Sequence, residues 1–82
     1  MGQLTICSVQ PFESERGYIK AGRAYEASSP SIAKHYAESR IDGNKTVGAI
    51  AIAQTGDPQL GEWDEPEILG IYGVIPDGVL DQ

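Results

Sequence analysis

Ser29-Pro30 restricts this chain more than any other pair of residues in it. A serine hydroxyl just before a helix can accept from an orphan amide of the first turn, and proline at the first helical position loses no hydrogen bond. Apolar residues follow at helical spacing, with Ile32, Ala33, Tyr36, Ala37 and Ile41 on one stripe and Ser31, Lys34, His35, Glu38 and Ser39 opposite. Asp42-Gly43 supplies the stop, since glycine takes the left-handed conformation that closes helices. The pattern predicts one amphipathic helix over residues 30–41.

Strand patterns surround it. Leu4 to Val9 reads as a first strand, with Leu4 and Ile6 on one side and Thr5, Cys7 and Val9 on the other. Pro11 is expected to end that strand or to hold it at an edge, because a central strand cannot spare an amide. Glu13 to Gly17 reads as a charged loop, and Tyr18–Ala21 and Arg23–Ala27 as strands around Gly22. In Thr46 to Ala53, Val47, Ala49, Ala51 and Ala53 share one face and Ile50 and Ile52 the other. Both faces are apolar, which predicts a central strand whose small alanines let the helix come close. Gln54 to Pro66 reads as an acidic loop at about 54–66. Pro66 to Val74 reads as a last strand, with Leu69 and Ile71 opposed to Ile68, Tyr72 and Val74, and Asp77-Gly78 as a turn. The expectation is a single α+β domain over residues 1–82, a small, mostly antiparallel sheet with one helix packed on a face.

Composition narrows the function. A chain of 82 residues has a thin core by surface-to-volume scaling, and 40% apolar residues suit a folded protein. No apolar run approaches the roughly 18 residues of a membrane span, and the N-terminus lacks the basic region of a secretory signal. The lone Cys7 forms no internal disulfide and reads as a small buried hydrophobe. Residues 1–45 hold all six basic and five acidic side chains, whereas residues 46–82 hold seven acidic ones and no Lys or Arg. The two halves carry +1 and −7, which together give the net −6. That balance argues against direct nucleic-acid binding, which needs Lys and Arg on phosphates. It suits a basic protein partner, or mimicry of nucleic acid.

No catalytic constellation is visible, and the chain is expected not to be an enzyme and to use no cofactor. His35 reads as a solvated residue on the polar side of the helix. Asp57, Glu62, Asp64 and Glu65 do not have the alternate spacing of a calcium loop, so no metal site is expected. Trp63 lies among them, and it reads either as an interface anchor, as exposed aromatics flanked by charge typically are, or as a ring folded back to cap the small core. Trp63, Asp57, Glu62, Asp64 and Glu65 are therefore the candidate partner-binding residues.

A wider pattern runs from Leu4 to Ile41: an apolar strand ending in Pro11-Phe12, a loop, the run Ile19 to Ala27 (IKAGRAYEA), and a helix with Ile32-Ala33 near its start. It resembles small head-associated proteins of tailed bacteriophages, Mu-like phages included. The resemblance covers about half the chain, rests on structural motifs, and carries over no functional residues. Where such proteins close the helix with Gly and a short apolar end, this chain has Ser39-Arg40-Ile41. The resemblance implies a non-enzymatic minor capsid, decoration or head-associated component, located in the virion and, during assembly, in the host cytoplasm. Its partners would be other phage structural proteins such as the major capsid protein, with self-association into a trimer, and no membrane. The alternative is a small acidic phage-encoded inhibitor of the anti-CRISPR kind, whose carboxylates would occupy a basic nucleic-acid groove.

Overall fold

A computed structural model describes residues 2–76. The turn expected at Asp77-Gly78 lies outside them. Two strands of equal length carry the fold: β1 (Leu4–Glu15) and β4 (Thr46–Asp57) pair antiparallel from Leu4↔Gly56 to Glu13↔Thr46. The outer edge of β1 takes β2 (Tyr18–Ala21) along one half and β3 (Tyr25–Ala27) along the other. The outer edge of β4 takes β6 (Glu67–Gly73) and the two-residue β5 (Glu62–Trp63). All pairings are antiparallel, and α1 (Pro30–Ser39) lies across one face of the curled sheet. The α+β architecture is as the sequence predicts.

The helix starts where its signals place it. Ser29 is extended, and its Oγ accepts from the Ile32 N–H at 3.2 Å. The C-terminal end comes earlier than residue 41, with Arg40 as the cap. Asp42 then organises the exit, its Oδ1 accepting from the backbone N–H groups of Asn44 (2.8 Å), Lys45 (3.0 Å) and Thr46 (3.1 Å). Those bonds, that of Asn44 foremost, hold the Asp42 carboxyl below the usual aspartate range. Ala33 and Ala37 are buried against Ala49, Ala51 and Ala53, with Cys7 and Val9 completing the cluster. Methyl-sized side chains on both layers let the helix sit close to the sheet. Ile32, expected in the buried stripe, is instead 37% exposed.

Three other expectations are corrected. Pro11 neither ends β1 nor marks an edge strand, because β1 runs on to Glu15 with strands on both sides. It falls between the stretches paired with β3 (Cys7–Val9) and β2 (Phe12–Glu15), so its missing amide faces a gap. The Pro11 carbonyl on that side accepts from Gly22 N–H at 2.9 Å. Gln10 Nε2 bridges the same gap, donating to the Gly22 carbonyl at 2.8 Å.

The charged loop expected at Glu13–Gly17 is a tight hairpin. Arg16 and Gly17 both take positive φ, 52° and 88°, between the paired Glu15 and Tyr18. Two left-handed residues in succession match the twist of the flanking strands. Lys20 on β2 forms an ion pair with Glu15 on β1.

The alternation expected for the last strand is broken by a bulge, where the register shifts between Ala51 and Ile52. Leu69 and Tyr72 consequently pack toward the helix cluster, whereas Ile68 and Ile71 stand opposite Ile52 and Ile50 on the other face.

Candidate docking face

Strand register sorts the side chains of the face turned away from the helix into rows. Leu4, Gly56 and Trp63 lie opposite one another, as do Ser8, Ile52 and Ile68, and Gln10, Ile50 and Ile71. Residues directly opposite in a ladder share a face, so the apolar side chains of these rows form one surface with Ile6 and Phe12. Ile50 and Phe12 are buried on it, at 2% and 3% exposed. Trp63 (39%), Ile68 (42%) and Ile71 (45%) are not, and Leu4 is exposed at the far end. The helix contacts the sheet through the opposite face, and no second layer covers this one among the described residues.

The acidic loop expected at about 54–66 is largely strand, and Trp63 lies on β5. β4 continues past Ala53 to Asp57, with Thr5 and Thr55 hydroxyls bonded at 2.8 Å, and turns at residues 58–61 into β5. Trp63 thereby faces Gly56. A Cβ on Gly56 would come within 2.6 Å of Trp63 Cε3 and 2.7 Å of Cδ2, so the indole lies where a side chain would otherwise stand. The bonds from Asp64 N–H to Thr55 O (2.8 Å) and from Gln54 Nε2 to Asp64 O (3.0 Å) fix the end of β5.

The structure divides the candidate set. Asp57 and Glu62 are directly paired, one position from the Gly56–Trp63 pair, so their side chains project to the opposite side of the hairpin from the indole. Like charges facing each other across a ladder repel. Asp57 Oδ1 accepts from the Gln59 N–H at 2.9 Å, and no Lys, Arg or His of the described residues makes an ion pair with either carboxylate. Asp64 and Glu65 are exposed in the connection to β6. The four carboxylates form no metal-binding group of three or more among the described residues.

Leu4, Ile6, Ile52, Ile68 and Ile71 were not among the residues the sequence singles out. The signal was the isoleucine face of Thr46–Ala53, which needs a partner that the one helix cannot supply. His35 is exposed, as expected, with its ring beside that of Tyr36. An open recess of about 440 Å³ lies at the other edge, where β1 runs past the end of β3, lined by Leu4–Cys7 and Glu26–Ser28. No helix of the described residues is long and apolar enough to cross a membrane. No protein-family model, no curated protein and no solved structure matches this chain.

Proposed function

We propose that this chain is a non-enzymatic interaction protein that docks a partner protein through the apolar sheet face opposite the helix, with Trp63 as its anchor. The observation that carries this reading is the run of Leu4, Trp63, Ile68 and Ile71 exposed on a face whose Ile50 and Phe12 are already buried. A rigid indole seated on a glycine offers large contact area at low entropic cost. The exposed carboxylates of Asp64 and Glu65 next to Trp63 favour a partner with Lys or Arg bordering its apolar centre. The resemblance of Leu4–Ile41 to small phage head proteins supports placing that partner in a particle, as the major capsid protein or a neighbour of it.

A second reading has its own observation. Asp57 and Glu62 face each other with no ion-pair partner among the described residues, on the side of the hairpin away from Trp63. That pair favours an inhibitor that presents carboxylates to a basic groove. Because the two features lie on opposite sides, two variants separate the readings. Trp63→Ala should cost docking about 2 kcal/mol or more if the indole is the anchor, and Glu62→Gln with Asp64→Asn and Glu65→Gln should then leave it nearly intact. Co-sedimentation with tailed-phage heads, and retention on immobilised polylysine as a stand-in for a basic groove, measure both at low and high salt. Loss of binding in the neutralised variant alone, with steep salt dependence in the parent chain, would overturn the anchor reading and favour the inhibitor. Indifference to both variants would sink the two together.

A further inference from the structure

The strands on the outer edges of the sheet differ in how they are protected. β2 has four residues and carries Lys20, β3 has three and carries Glu26, and β5 has two and carries Glu62. Short length and charge are the usual guards of a free edge. β6 has seven residues, and from Ile68 to Ile75 no side chain is charged. Its prolines, Pro66 and Pro76, stand outside that stretch. The bulge at Leu69–Gly70 and the left-handed Gly73 (φ 69°) interrupt it on either side, and they leave the edge at Ile71 open between them. Among the described residues no strand pairs with the outer edge of β6.

We propose that this edge pairs with β6 of a second copy, antiparallel about a two-fold axis at Ile71. The main-chain groups of a strand edge are complementary to the same edge turned half a revolution, so a second copy supplies a matching partner. Charge selects it further. The chain carries −6, and residues 46–82 contain no Lys or Arg, so a contact of this half with its own copy meets least repulsion along a stretch free of carboxylates. With the axis at Ile71, the Glu67 residues of the two copies lie eight strand positions apart, roughly 25 Å at about 3.3 Å per residue and well beyond the screening length of about 8 Å. The same register sets the exposed Ile71 beside its own copy. Two sheets joined this way make a dimer, where the head-protein resemblance suggests a trimer. The inference does not rest on the proposed function, because it uses neither Trp63 nor a foreign partner.

Sedimentation equilibrium of the full chain from micromolar to millimolar concentration tests it. The parent chain should form dimers. Ile71→Glu should weaken association about a hundredfold or more, because it sets two carboxylates about 5 Å apart. Ile71→Lys should do the same, and mixing the two variants should restore a heterodimer, which loss of folding could not mimic. Hydrogen exchange of the parent chain should show β6 amides gaining protection as concentration rises, a readout that needs no variant to fold. A parent chain monomeric at millimolar concentration would overturn the proposal. So would a mixture that stays monomeric, or a dimer lost on Trp63→Ala but kept in Ile71→Glu.

Discussion

Gly56 and Trp63 face each other across β4 and β5, and the missing side chain of the first seats the ring of the second. The only tryptophan of the chain is thereby held at a set angle on a sheet that the helix leaves bare. Gly56→Ala should dislodge it, since the added methyl carbon would overlap the indole and the nearby Glu62 carbonyl. The cost should be about 1–3 kcal/mol, the range for forcing carbon into a filled site. Red-shifted tryptophan emission together with a lower denaturation midpoint would bear this out. Unchanged emission would mean that the indole does not rest on Gly56.

The helix offers a contrast between neighbouring positions. Ser29→Ala removes the hydroxyl that accepts from Ile32 N–H and should cost about 1 kcal/mol. Ile32→Ala should cost less than about 1.5 kcal/mol, since the side chain is 37% exposed and a fully buried isoleucine loses more. Urea titrations of both variants decide it, and a loss of 3 kcal/mol or so at Ile32 would contradict the exposure seen here.

Arg40 holds its guanidinium 4.9 Å from the Tyr25 ring centroid and 5.0 Å from that of Tyr36. Burial pushes the Tyr25 phenol above its ordinary pKa, the positive charge of Arg40 partly opposes that, and the hydroxyl oxygen has no hydrogen-bond partner among the described residues. A pKa raised by folding means that the folded state holds the proton more tightly. The contribution to stability is therefore fully present below about pH 10, the ordinary tyrosine value, and is lost as pH rises through the raised folded value. Arg40→Gln should raise the Tyr25 pKa further and weaken the helix–β3 contact by about 0.5–2 kcal/mol. Tyrosinate absorbance during alkaline titration reads the first effect, and a downward shift would refute the assignment.

Much of the framework was legible because its signals are local or periodic. Ser29-Pro30 marked the helix start, and alternation in Thr46–Ala53 marked a strand apolar on both faces. Two of the misreadings come from pairing with strands elsewhere in the chain. Pro11 can sit inside a central strand because the gap between β2 and β3 falls at its position, which no local rule reveals. The end of β4 was hidden by Gln54, Thr55 and Gly56, a polar run that becomes strand because β1 lies alongside. Trp63 was legible as a binding candidate. Its separation from Asp57 and Glu62 was not, because it depends on a hairpin register that places adjacent residues on opposite sides.

The ladder between β1 and β4 has a bearing on how the chain is made. Glu13 pairs with Thr46, 33 residues later, and Leu4 with Gly56, 52 residues later. At about 5–20 residues per second, the first residues of β4 follow their partners on β1 by on the order of 2–7 seconds during synthesis. In that interval β2 and β3 can zip onto one edge of β1, and α1 can form without a finished sheet to bury its alanines against. The other edge of β1 stays open until Thr46 and the residues after it arrive. A nascent chain of this kind carries its bare strand edge for seconds, and the arrival of β4 closes that edge and completes the seat for the helix.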